Sequence, residues 1–322
     1  MRIVRGGIGI LKQPMVWMLF FFLWTLVYTL RHRSLKTRFR ILCVLAWIIH
    51  GVAFGPRARI RKNLSLIRPD LAKQEIDRGS WRVTKAIAWS WAAMIGNGRS
   101  SPPSISDDTF TVTGIEQLVA YHKAGKKIIA VVGHVGPVDD MFRIFPLHDL
   151  RAYIPVEPVR PAWLLDIMTR SRKVFGDIVL EPVERKHTLE RARSHLSSGR
   201  IVVLAIDVTK KDKRGVRCRI GDGEAWFPVG AVKLGLEEDA MIFPVFPSWD
   251  SQRKIRIVVG RQFKFIRTGD IDQDIEINTR RLIENTYAPH IQRYWDMWLR
   301  ALWSDLKRAK DKKKKSMGGE EI

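Results

Sequence analysis

His134 and Asp139 form a His-x4-Asp pair at the end of an apolar run, Ile128-Ile-Ala-Val-Val-Gly-His134-Val-Gly-Pro-Val-Asp139. An imidazole, with an ordinary pKa of about 6.5, takes up a proton near neutral pH. A carboxylate on its second nitrogen fixes the tautomer and stabilises the imidazolium that forms. No serine or cysteine follows the run in a nucleophile-elbow setting, so the group such a base would activate is a substrate hydroxyl. On a regular helix these two side chains would diverge by about 140°. They can cooperate only with His134 in a turn and Asp139 in the first turn of the next helix, an early position that Pro137 suits. Asp140 is a rival partner for His134, and a helix-start histidine beside an acid is the plain structural alternative.

The elements that must position this pair alternate between strand and helix. Lys127–Gly133 reads as a fully buried strand broken by Gly133, Gly136 and Pro137. Ile201-Val-Val-Leu-Ala-Ile-Asp207 is a second apolar strand ending in an acid. Further strands are expected at 110–113, 151–155, 177–180, 240–246 and 254–259. Helices are expected at 73–94, 115–123, 161–174, 186–197 and 226–236, and over most of 275–306 with a kink at Pro289. This alternation predicts an α/β fold with a mostly parallel central sheet flanked by helices. Such sheets place their chemistry at the carboxyl ends of the strands.

Lys and Arg number 56 against 33 Asp and Glu, a net charge of +23, so partners are expected to be anionic. The N-terminus chooses among them. Residues 13–30 are uncharged, at the short end of what crosses a bilayer core of about 30 Å, and contain Trp17, Trp24 and Tyr28. Arg31, Arg33, Lys36, Arg38 and Arg40 follow, which by the positive-inside rule puts the main body in the cytoplasm. A cleaved signal peptide is disfavoured because an Ala-x-Ala-type site is missing. The second apolar patch, 41–54, is too short to span and reads as interfacial or packed on the domain. The expected organisation is a membrane anchor and interfacial segment (1–54), an α/β domain (55–306) and a basic tail (307–322). A chain beginning with a membrane segment meets lipid phosphates more simply than nucleic acid. With only Cys43 and Cys218, a disulfide framework is not expected. The histidines lack metal-ligand spacing.

With these residues in view, the chain resembles the lipid A biosynthesis (lauroyl/myristoyl) acyltransferases of bacterial inner membranes. That family lies within the wider His-x4-Asp/Glu lysophospholipid acyltransferase group. Arg61-Lys-Asn-Leu-Ser-Leu-Ile-Arg-Pro-Asp-Leu71 resembles the family's Arg/Asn-Leu segment, and Val112–Leu118 its strand-turn-helix. Gly133–Asp139 is similar to its Gly-His-x-Gly-Asn-Trp-Glu core. Leu196-Ser-Ser-Gly-Arg200 with the Asp207 strand resembles its Leu-x-x-Gly-x … Asp-Gln region. Phe243-Pro-Val-Phe246 and Tyr294-Trp-Asp-Met-Trp298 resemble its later segments. The departures are Asp139 for the commoner Glu, Pro137-Val138 for Asn-Trp, and Val208 for Gln, positions that shape acceptor binding.

The resemblance implies O-acyl transfer from an acyl carrier protein or coenzyme A thioester to a hydroxyl of a lipid A-type glycolipid. No tightly bound cofactor is implied. His134 would be the general base, Asp139 its orienting acid, and an arginine after the catalytic segment an oxyanion contact. Arg172, in Arg170-Ser-Arg-Lys-Val-Phe-Gly176, matches that arginine best, with Arg170 as rival. Asp207 and Arg200 are further substrate-site candidates, and Asp207 could equally anchor a loop. His148-Asp149 reads as surface structure. A lysophospholipid, a phosphoinositide glycolipid or an aminolipid would be alternative acceptors, and a non-catalytic scaffold binding anionic lipid is the reading from another class. Location at a bacterial inner membrane, with one span and a cytoplasmic catalytic domain, follows from the same resemblance.

Overall fold

In the computed structural model the described residues are 21, 24–96, 110–158, 162–172, 175–184, 187–209, 215–250 and 254–309. Residues 24–30 are helical. Then come α1 (Leu35–Val52), α2 (Phe54–Ile67), α3 (Lys73–Met94), β1 (Phe110–Thr113), α4 (Glu116–Lys123) and β2 (Ile128–Val132). A 3-10 turn, Val138–Arg143, leads into α5 (Ile144–Leu147), β3 (Ala152–Val156), α6 (Ala162–Arg172), β4 (Ile178–Pro182), α7 (Thr188–Ser197) and β5 (Ile201–Ala205). The last third holds β6 (Val216–Ile220), β7 (Gly223–Phe227), α8 (Gly230–Glu237), β8 (Met241–Trp249), β9 (Ile255–Val259), α9 (Ile271–Arg280), α10 (Ala288–Arg293) and β10 (Lys307–Arg308).

Seven strands pair in the order β1-β9-β8-β2-β5-β3-β4, and every pairing is parallel except β8 with β9. All five residues of β2 are buried, as its unbroken apolar run demands of a strand covered on both faces. Ile129 and Val131 enter one core with α2, α3 and α8; Ile128, Ala130 and Val132 enter the other with α4 and the 138–145 turn. That alternation is the period of two of a strand. The mostly parallel sheet expected from the sequence is present.

A central strand should not tolerate Pro244, which has no N–H for the ladder. The Tyr287 hydroxyl resolves this: it donates to Val131 O and accepts from Val245 N at 3.1 Å, bridging β2 and β8 beside the proline. Tyr287 is fully enclosed, and burial holds its phenol well above the ordinary value, keeping it a neutral donor.

Three sequence expectations change. Trp226 and Phe227, expected in a helix, belong to β7, because Gly221 (φ +61°) turns β6 back onto it and α8 starts only at Gly230. A Cβ on Gly221 would lie 2.6 Å from Leu66 O and Ile67 O, so the turn sits tightly on the end of α2. Residues 275–306 are not one kinked helix: a π-type turn over Arg281–Tyr287 separates α9 from α10, and Pro289 lies in the first turn of α10, where its missing N–H costs nothing. The basic tail begins with structure, since Lys307 and Arg308 pair with Glu224 and Gly223, forming the three-stranded sheet β10-β7-β6. The rest of the expected tail, from 310 onward, lies outside the described residues.

Most of the expected anchor, 13–20 with 22–23, also lies outside the described residues. Among those described, no single helix is long and apolar enough to cross a membrane; α1 and α2 reach that length and composition only as a pair bent by 90°. Ser34 caps α1, its hydroxyl accepting from Thr37 N at 3.2 Å. One side of α1 packs on α3, while Val44, Trp47, Ile49, Val52 and then Phe54 stand exposed.

Asn63 locks α2 to the end of the chain. Its amide donates to Ala301 O (2.8 Å) and Ser304 O (2.7 Å), and its oxygen accepts from Leu306 N (3.2 Å), all in a site closed to solvent. Asn63→Ala strands these partners without water, a cost of about 2–4 kcal/mol. Urea unfolding measures it; a loss under about 1 kcal/mol would show that the clasp is not held by this side chain.

Candidate active site

Two strand ends make the site. β2 and β5 run parallel with Val132 opposite Ala205, so the residues two steps further on, His134 and Asp207, emerge side by side from the carboxyl edge. Gly136 (φ +63°) turns the chain away immediately after His134, a left-handed conformation that favours glycine.

The Asp207 carboxylate is 1% exposed and collects three donors: His134 Nδ1 at 2.7 Å, His134 N at 2.7 Å, and Trp298 Nε1 at 2.9 Å. Burial alone would raise its pKa. The charge attraction and hydrogen bond of His134, with the Arg300 charge behind them, outweigh that and hold it below the ordinary carboxylate value. An ionised carboxylate can only accept, so Nδ1 carries the proton and Nε2 offers its lone pair. Nε2 has no hydrogen-bond partner among the described residues, and the half-buried imidazole lines a cavity of about 540 Å³.

The cavity wall is chiefly apolar. It runs from Trp91 and Met94 of α3, past Met141, Phe142 and Met168, to the strand ends at Val132, Ile154 and Val203. Behind it, Trp91, like Leu26 and Leu42, packs against a small core of Val27, Leu30 and Ile95.

The carboxylate bonded to His134 is therefore Asp207, which corrects the expectation that Asp139 orients the imidazole. Asp139 lies in the 3-10 turn and forms an ion pair with Arg172, the last residue of α6. Both side chains are 11% exposed, and the guanidinium also lies over the Phe142 ring, 5.1 Å from its centroid. A 3-10 turn in place of an α-helical one, after the Gly136 bend, carries Asp139 away from the imidazole it follows in sequence. Asp140 does not bond the imidazole either.

A family model described as bacterial lipid A biosynthesis acyltransferase matches residues 9–305. The chain belongs to that family. A search of curated proteins found no match.

Within this acyltransferase, the structure brings four of the expected residues to one cavity region: His134, Asp139, Arg172 and, behind His134, Asp207. It leaves two outside. Arg170 stands 200° around α6 from Arg172 and pairs with Asp166 on the surface. Arg200 precedes β5 and bonds Asp177 at 2.8 Å, at the amino edge of the sheet, about 23 Å of strand from Asp207. His148 and Asp149 also lie outside the cavity lining, Asp149 in a left-handed turn conformation. Trp298 and Arg300 were not singled out from the sequence as site residues. The segment around them is laced to the turn that carries His134: Leu299 N donates to His134 O (2.8 Å), and Gly136 N to Met297 O (2.9 Å).

Proposed function

We propose that this acyltransferase moves a fatty acyl chain from an acyl carrier protein or coenzyme A thioester to a hydroxyl of a lipid A-type glycolipid, with His134 as general base. The observation that carries the chemistry is the imidazole whose Nδ1 is held by a buried carboxylate while Nε2 faces an apolar cavity. Nε2 takes the proton of the acceptor hydroxyl as its oxygen attacks the thioester carbonyl carbon; collapse of the tetrahedral intermediate expels the thiolate, which recovers the proton from the imidazolium. Asp207 stabilises that imidazolium, and Arg172 is the cation nearest in role to an oxyanion contact. Asp139 acts through Arg172 by fixing the guanidinium. The apolar wall suits the acyl chain.

The exposed apolar side of α1, followed by Arg57 and Arg59 on α2, supports seating at a membrane surface rich in anionic lipid. A bacterial inner membrane, with the catalytic body on the cytoplasmic side, fits the family and the Arg/Lys excess after residue 30.

The test is direct. The full chain, in detergent micelles with radiolabelled acyl thioester and a bacterial lipid extract, should yield an acylated product, identified by mass spectrometry, that is not formed with His134→Ala. Product formation by folded His134→Ala at the wild-type rate refutes the base assignment. No product from any acceptor by the wild type leaves the lipid-binding scaffold as the better account.

A further inference from the structure

Two cations line the cavity among the described residues, Arg172 and Arg300, and they are placed very differently. Arg172 meets a carboxylate as enclosed as itself, so its charge is neutralised in place. Arg300 is also enclosed, with a side-chain exposure of 13%, but its acidic contact Glu157 is 61% exposed and touches it once, at 3.3 Å. Charge-assisted N–H···O contacts are normally about 2.7–2.9 Å. Among the described residues the Nε atoms of both arginines are sealed without a hydrogen-bond partner, so what sets Arg300 apart is the exposure of its carboxylate partner and the single long contact to it. An enclosed guanidinium whose carboxylate partner stands mostly in water is poorly compensated, which is a reason to expect a further acceptor in the working enzyme.

Position strengthens the case. Trp298 bonds Asp207, Leu299 N bonds His134 O, and Arg300 is the next residue, so its guanidinium is rooted beside the reacting pair. Glu157 follows β3 and reaches the same cavity from the neighbouring strand end.

We infer that Arg300 is the anion-binding group of this cavity, shaped to take a phosphate ester of one of the two substrates, and that Glu157 holds its place until the ligand arrives. The inference rests on the acyl-transfer reading and deepens it. A guanidinium presents five donors in a flat fork that matches phosphate oxygens two at a time, and it keeps its charge at any working pH. Glu157, being mostly in water, loses little when it gives up the contact. The phosphate has two possible sources: the headgroup of the lipid acceptor, or the pantetheine arm of the acyl donor.

Equilibrium titration of the full chain in dodecyl maltoside micelles separates them without requiring turnover. Dodecyl phosphate stands for the lipid source and coenzyme A for the donor. Arg300→Gln should weaken at least one probe by roughly ten- to a hundred-fold, the effect of losing one charge-assisted contact. Arg300→Lys should recover part of it, and Glu157→Gln should tighten the same probe several-fold. Weakening of dodecyl phosphate alone assigns the lipid headgroup; weakening of coenzyme A alone assigns the donor.

Unchanged binding of both probes by folded Arg300→Gln overturns the inference. So does weakening by Glu157→Gln, the result of a purely structural ion pair. Because Glu157→Gln removes no cation and lies on an exposed side chain, it keeps the test decisive even where Arg300→Gln folds poorly. Because probe binding is read without turnover, the anion site can stand or fall separately from the assignment of the base.

Discussion

Asp207→Asn lowers acyl transfer by about 10³–10⁴-fold while leaving substrate affinity nearly intact, the scale expected when an orienting carboxylate is replaced by an amide. The amide can still accept from His134 N or Trp298 Nε1, but its NH₂ group turns toward Nδ1 and selects the tautomer with the proton on Nε2. That tautomer cannot take a proton from an alcohol. His134→Ala should fall at least as far, and the double variant no further than His134→Ala, since the two act as one unit. Initial rates on correctly folded protein, judged by circular dichroism, decide the matter. Asp139→Asn losing more activity than Asp207→Asn, at equal folding, would return the orienting role to Asp139. The Asp207 carboxyl also ties stability to pH. Its folded value is depressed, so its contribution is complete above the ordinary value of 3.8 and is lost as pH falls through the folded value.

Breaking the Asp139–Arg172 pair from either side costs about 3–5 kcal/mol, because the surviving charge is left enclosed beside Phe142 without a counter-charge. Arg172→Met and Asp139→Leu should each lower the unfolding free energy by that amount. The double variant should regain most of it, since apolar side chains of similar volume suit the surrounding wall. Activity should not return with stability, because the double variant lacks the guanidinium proposed as the oxyanion contact. A stable double variant with wild-type turnover would reduce the pair to a structural role. Single variants as stable as the wild type would show that water reaches the pair.

The parts of this architecture visible in sequence are those written in local pattern. The unbroken apolar runs at Ile128 and Ile201 announce buried strands, and the polar residues just beyond them, His134 and Asp207, announce the reacting edge. What local pattern does not contain is which strands are neighbours. Five residues of separation favour Asp139 on paper, whereas adjacency of β2 and β5 gives the imidazole to Asp207. One signal was available: Ile128 to His134 and Ile201 to Asp207 are runs of equal length, so parallel pairing from a common start brings their ends together. Trp298 and Arg300 were less accessible. Trp298-Leu-Arg-Ala-Leu-Trp303 reads as an ordinary amphipathic helix, and only the 3-10 turns that replace it aim the indole at Asp207. Pro244 would even have argued against a central strand, had Tyr287 not supplied the missing bridge.

The indole of Trp298 lies 91 positions beyond the carboxylate it secures, and the Asn63 clasp reaches forward 238 positions to Ala301. A chain lacking everything beyond residue 295 would still hold His134 against Asp207, but without two of the fastenings: the Trp298 indole on the carboxylate and Leu299 N on His134 O. Such a chain would keep every strand of the large sheet, the last of which ends at Val259, while the buried carboxylate is left with two of its three donors.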